Sequence, residues 1–148
     1  MAITFNIKNM TQEILLPRKL ANQLLHLAQV SPDQEVCGLI SGKNGYALRC
    51  YPVLNVAEHP ETQFLLDAQQ QITAMTKMRD NGEELFAIYH SHPTAPAQPS
   101  ITDIRSANYP NALTLIISLN TKGVLDMHCF KIINDSVTEM ALVMRDDA

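Results

Sequence analysis

From Arg18 onward the apolar residues Leu20, Leu24, Leu27 and Ala28 recur at intervals of three and four, the spacing that lays one stripe along a helix. Pro17 suits the first helical position, where its missing N–H costs nothing. A helix is therefore expected from Pro17 to the Ser31-Pro32-Asp33 turn. The period then shortens. Val36 to Ile40 and Tyr46 to Val53 read as strands on either side of Gly42-Lys43-Asn44-Gly45, which makes them a hairpin. Asn55 to Thr62 is polar and interrupted by Pro60, so it reads as loop, with a solvated His59. Asp67 with Gln70 opens a second helix, Ala68, Ile72, Met75 and Met78 are its expected inward face, and Asn81-Gly82 ends it.

Leu85-Phe86-Ala87-Ile88-Tyr89 is continuously apolar and β-prone, the mark of a buried strand whose last residues emerge at a sheet edge or end. Pro93 to Pro99 holds three prolines in seven residues. Each proline removes a donor and fixes φ, so this is a stiff connecting loop. A short helix should follow from Ser100, with Ile101, Ile104 and Ala107 on its apolar side. Leu113 to Leu119 reads as a central strand, and Val124 to Ile133 and Val137 to Met144 as edge strands. This order of elements predicts an α/β fold, a mixed β-sheet flanked by helices, in a single domain over residues 1–148.

Composition narrows the function classes. The 148 residues carry a net charge of −4 with Lys and Arg scattered, which argues against nucleic-acid binding. No run approaches 18 apolar residues, and Met1 to Ile7 lacks the cationic start of a signal peptide, so no membrane association and a cytoplasmic location are expected. Three cysteines, Cys37, Cys50 and Cys129, form no Cys-x-x-Cys pair and read as buried thiols.

The chemistry concentrates in His90-Ser91-His92 followed, after seven residues, by Ser100-Ile101-Thr102-Asp103. Residues two apart on a strand share a face, so both imidazoles can reach one ion at about 2.0–2.1 Å while Ser91 points the other way. Asp103 can reach back from the helix start as a third ligand. Two blander readings stand beside this one. Ser-x-x-Asp is also a variant capping box that satisfies free N–H groups of a first helical turn. The histidines can equally be two half-exposed strand residues.

The string His-x-His-x(7)-Ser-x-x-Asp with an upstream glutamate resembles the signature of the JAMM (MPN+) zinc metalloproteases, which include zinc deubiquitinases and smaller prokaryotic members. Glu35, in Glu35-Val36-Cys37-Gly38-Leu39-Ile40-Ser41-Gly42, is similar to the glutamate of the short prokaryotic members. From the residue alone, a glutamate before an apolar strand reads as a solvated helix-end residue, and Glu84 is the fallback. Asn55, Phe64 and Asp67 also fall where those members often carry such residues, so the resemblance spans about Leu16 to Phe130.

The resemblance implies the JAB/MPN fold, similar to the cytidine-deaminase-like architecture. It implies one zinc per chain on His90, His92 and Asp103, with a fourth position open to water. Glu35 would act as general base and then acid, and Ser100 as donor to the oxyanion. The substrate implied is a ubiquitin-like, sulfur-carrier type protein with a Gly-Gly tail, cleaved after its last glycine; the tail would add as a strand beside Val36 to Ile40 or the neighbouring edge. The competing class is an MPN-type scaffold that binds a protein partner without turnover. Zinc-dependent base deamination needs His-x-Glu together with Pro-Cys-x-x-Cys, and the second of these does not occur.

Overall fold

The computed structural model describes residues 13–120 and 126–146. Its elements run β1 (Glu13–Pro17), α1 (Arg18–Gln29), β2 (Cys37–Lys43), β3 (Tyr46–Val53), α2 (Ala68–Asp80), β4 (Glu84–His92), α3 (Ile101–Ser106), β5 (Leu113–Ser118), β6 (Asp126–Ile133) and β7 (Ser136–Arg145). The strands form one seven-stranded sheet in the order β1-β7-β6-β5-β4-β2-β3. The β1/β7 and β4/β5 pairs are parallel and the other neighbours antiparallel, so the expected mixed sheet is present.

Alternation along the strands divides the core between two faces. On one, Ile40, Ala87, Leu115, Ile117 and Cys129 pack against the α1 stripe of Leu20, Ala21, Leu24 and Ala28. On the other, Leu39 and Val53 pack against Ala74 and Met78 of α2, and Ile116, Phe130 and Ile132 pack against Ala97 and Ile104. Burying this apolar area is the main stabilising term, at about 25 cal/mol per Å². Because His90 and His92 fall in phase with Ile88, they project on the face of α2 and α3, while Tyr89 and Ser91 turn toward the α1 side.

Among the described residues, two tight hairpins use the turn that their strands' twist favours. Asn44 and Gly45 have φ of 54° and 82°, and Asn134 and Asp135 have φ of 49° and 66°, as a two-residue type I′ connection requires.

Several expectations are corrected. The strands expected over 124–133 and 137–144 are interior, not edges, and Val124 itself lies outside the described residues; β6 sits between β5 and β7, and β7 between β6 and β1. The short run Glu13–Pro17, too brief to show a period of its own, closes that side by pairing with Ala141 to Arg145. The inward face of α2 is Ala74 and Met78 with Met75 partly buried, whereas Ile72 is exposed and Ala68 lies outside. On α3 only Ile104 packs; Ile101 and Ala107 are exposed, because six residues make too short a helix to lay down a stripe. Finally, β2 is hydrogen-bonded on both sides, by β3 and β4, so no strand can add beside Val36 to Ile40, and the free edge on that side is β3.

Candidate metal centre and active site

The carboxyl end of β4 carries both histidines, and it lies next to the parallel β5, where the crossover through α3 returns the chain to the sheet. His90 stands opposite Cys37 of β2 and Ile116 of β5, at the middle of the sheet, and its side chain is sealed from solvent. His90 Nε2 lies 3.2 Å from His92 Nε2, and each is 3.1 Å from Asp103 Oδ2.

These three atoms form a near-equilateral triangle. One face of a tetrahedron with 2.0–2.1 Å metal–ligand bonds has edges of about 3.3 Å, so the triangle has almost the size that such an ion imposes. The chemistry of the donors agrees. The Pro96 carbonyl, 2.8 Å from His92 Nδ1, can only accept, so Nδ1 carries the hydrogen and a neutral His92 presents the Nε2 lone pair. Burial holds the pKa of His90 below its usual value against the pull of Asp103, which keeps that ring neutral too. Burial pushes the Asp103 carboxyl up, but the His90 and His92 rings together with the Ser100 N–H hold it far below the usual carboxylate range. Against burial, hydrogen bonding to Asp103 raises the pKa of His92. Two imidazole Nε2 atoms and an ionised carboxylate facing one point fit a divalent cation of the zinc kind, which would take the place of the proton shared there.

Asp103 does this from the first turn of α3. Its backbone N–H donates to Ser100 Oγ at 3.0 Å, and its Oδ2 accepts from the Ser100 N–H at 2.9 Å. The capping box and a position suited to a ligand, alternatives in sequence terms, are thus compatible in one arrangement. Ser100 Oγ accepts one hydrogen bond there, which leaves its own hydroxyl hydrogen available to the cleft that it lines.

Glu35 is not a solvated helix-end residue. It is buried, its Oε1 has no hydrogen-bond partner among the described residues, and one carboxylate oxygen lies within 4.8 Å of ring nitrogens of both histidines. Burial lifts its pKa to about 7; His92 opposes that shift and Asp103 adds to it. A buried carboxyl that changes protonation near neutral pH beside three metal-type ligands is equipped to carry a proton. The fallback, Glu84, is exposed at the far end of β4. Glu83 is buried, but it is consumed by Arg49 at 2.9 Å and by the Tyr51 hydroxyl at 2.9 Å.

Of the three further residues on which the resemblance rests, Asn55 and Phe64 contact this site, and Asp67 has the capping role expected of it. The Asn55 amide donates to the carbonyls of Glu35 at 3.0 Å and Gln63 at 2.9 Å, while its Oδ1 accepts from the N–H groups of Ala57 and Leu65. Phe64 stacks on the His90 ring with centroids 4.3 Å apart and planes 20° from parallel. Asp67 caps α2 by accepting from the Gln70 N–H at 2.9 Å.

Three contacts carried no sequence signal. The Glu35 N–H donates to the Pro60 carbonyl at 2.7 Å. Ser91 Oγ accepts from the Val36 N–H at 2.8 Å, which ties the residue after Glu35 to the strand that carries the histidines. The Pro96 carbonyl orients His92. The cysteines take no part: burial pushes Cys37 up to about 12, with Glu35 adding to the shift, so it is an inert thiol although it neighbours the site. His59 is exposed, as expected.

Among the described residues, no helix is long and apolar enough to cross a membrane. The chain is 30% identical over 128 residues to the CysO-cysteine peptidase of Mycobacterium tuberculosis, covering 85% of this chain and 87% of that protein. It is 36% identical over 97 residues to a probable TtuB-protein conjugate cleaving protease of Thermus thermophilus, covering 65% of this chain and 64% of that one. The solution structure of a protein from Desulfitobacterium hafniense matches it with a TM-score of 0.80 and 34% identity over 90% of this chain and 94% of that one. The model of the prokaryotic homologs of the JAB domain matches residues 17–132, from the proline before α1 to β6, and takes in Glu35, both histidines, Ser100 and Asp103. With that span and a relative of this identity over most of both chains, the protein belongs to the family of prokaryotic homologs of the JAB domain.

Proposed function

We propose that this chain, acting as one domain over residues 1–148, is a zinc-dependent peptidase or isopeptidase. Its substrate is a ubiquitin-like protein of the sulfur-carrier type, cleaved at the amide bond after the C-terminal glycine. The observation that carries the reading is the triangle of His90 Nε2, His92 Nε2 and Asp103 Oδ2 beside a buried, unpartnered Glu35 carboxylate oxygen. Relatives named for a CysO-cysteine substrate and for TtuB–protein conjugates support the substrate class.

His90, His92 and Asp103 would hold one zinc ion per chain. When bound, zinc supplies Lewis acidity to the scissile carbonyl and to water in the cleft. The protein's own groups do the rest. Glu35 takes a proton from the attacking water at its free oxygen and delivers it to the departing amine, so that a C–O bond forms as the C–N bond breaks. The Ser100 hydroxyl donates to the carbonyl oxygen as negative charge gathers there. Phe64 and the Pro96 carbonyl hold the two imidazoles in orientation. Asn55 and Pro60 hold the Glu35 backbone. The reading places the protein in the cytoplasm, where the thiols of Cys37, Cys50 and Cys129 stay reduced.

The test combines metal content and turnover in wild type, Glu35→Gln and His92→Ala, using a carrier extended beyond its Gly-Gly terminus. About one zinc per chain in wild type and Glu35→Gln, its loss in His92→Ala, and loss of hydrolysis in both variants are expected. A metal-free, inactive wild type that still binds carriers would establish a scaffold instead.

A further inference from the structure

Two cavities meet at the metal-type ligands without sharing a lining residue. One of about 220 Å³ is bounded by His90, Asp103, Phe64 and Tyr109. The other, of about 270 Å³, is bounded by Glu35, Glu61, His92 and Ser100. The departing amine must stand next to the group that protonates it. In the reaction proposed above, on which this inference rests, that group is Glu35, so the leaving group occupies the 270 Å³ cavity.

Apart from His92, itself one of the metal-type ligands, the charged side chains that line that cavity are carboxylates. Among the described residues its lining includes the carboxylates of Glu35 and Glu61 and neither lysine nor arginine. Glu61 is not an arbitrary surface residue. The preceding Pro60 carbonyl accepts the Glu35 N–H at 2.7 Å, the Thr62 N–H donates to His59, and Asn55 ties Gln63 to the Glu35 carbonyl. The turn that carries Glu61 is thereby fixed against the backbone of the proton-transferring residue. Its side chain lies 3.7 Å from His59 Nδ1 and remains 58% exposed, within reach of a ligand.

A single amino acid released from a carrier has an α-carboxylate two bonds from the departing nitrogen, and that charge has to enter this same cavity. A lysine ε-amine, or a peptide that continues past the scissile bond, brings no charge so near. We propose that Glu61 is a specificity-determining residue that disfavours leaving groups with a free α-carboxylate. The chain is thereby directed to protein or peptide conjugates of its carrier rather than to carriers bearing one amino acid.

The experiment uses zinc-loaded protein and two substrates built on one carrier, the first ending Gly-Gly-Ala with a free carboxylate and the second identical but with a C-terminal carboxamide. Wild type should favour the carboxamide about three- to tenfold in kcat/KM, the size of one unit-charge repulsion across a solvated cleft, and the ratio should shrink as salt is raised. Glu61→Gln should flatten the preference and Glu61→Lys should reverse it; both replace an exposed side chain, so folding is not at stake. Equal rates or a carboxylate preference in wild type, or a ratio that Glu61→Lys leaves unmoved, overturns the inference. Hydrolysis of neither substrate instead overturns the proposed peptidase.

Discussion

The Asn55 side-chain amide donates to the backbone carbonyl of Glu35 at 3.0 Å, across twenty residues of sequence. The same side chain makes three further hydrogen bonds within the 55–65 loop, so one residue sets both the shape of that loop and the seat of the proposed base. Asn55→Ala should lower kcat/KM about 10- to 100-fold, the cost of a misplaced reacting group, while zinc content stays near wild type. Steady-state kinetics beside metal analysis separates this outcome from loss of the ligands.

Ser100 has two duties that one substitution can resolve. Ser100→Ala removes the acceptor of the Asp103 N–H, which should cost about 1 kcal/mol in urea denaturation. It also removes the proposed oxyanion donor, which should lower kcat about 100- to 1,000-fold. A loss of activity no larger than the loss of stability would assign Ser100 to capping alone.

Gly38 is required by a neighbour rather than by its own backbone angles. A Cβ there would lie 2.5 Å from the Tyr51 carbonyl and from Cε2 of the fully buried Tyr89 ring. Neither can yield easily, so Gly38→Ala should destabilise the fold by about 1–3 kcal/mol. Urea midpoints at unchanged m-value measure it.

His128 is held between two carboxylates, Glu139 at 2.6 Å and Asp126 at 2.8 Å, across β6 and β7. Glu139 foremost, against some loss of solvation, and then Asp126 raise its pKa from 6.5. A raised pKa means that the folded state binds the proton more tightly. The stabilisation is therefore complete below about 6.5 and is lost as pH climbs through the higher folded value. The stability difference between wild type and His128→Gln should be about 0.5–1 kcal/mol at pH 6, as for a partly exposed ion pair, and should shrink by pH 9. A difference that grows with pH would reverse the assignment.

Legibility followed the kind of force involved. The α1 stripe, the 42–45 turn and the apolar run before His90 were visible because period and turn chemistry are local. The His90, His92 and Asp103 cluster was visible because β4 places both imidazoles on one face and a short proline-stiffened loop returns the chain to them. The closure of the sheet by Glu13–Pro17 was not, since five residues carry too little period to register, and a parallel partner more than a hundred residues away leaves no local mark. For the same reason Asn55 and Phe64 were noticed only by position. What they do depends on a backbone carbonyl and a ring face that no spacing rule reaches. Glu35 was legible through its neighbours in sequence, and burial without a partner for Oε1 is what separates it from Glu83, which is buried but paired, and from the exposed Glu61 and Glu84.

The coincidence of cap and proposed ligand in Asp103 has a consequence for how such chains diverge. A copy relieved of its chemistry would still need an acceptor for the Ser100 N–H to begin α3, so selection for folding alone can retain the aspartate after the histidines have drifted. An aspartate at this position is therefore poor testimony to catalysis in a distant relative. The paired imidazoles, for which the described contacts offer no comparable employment in folding, are the better witnesses.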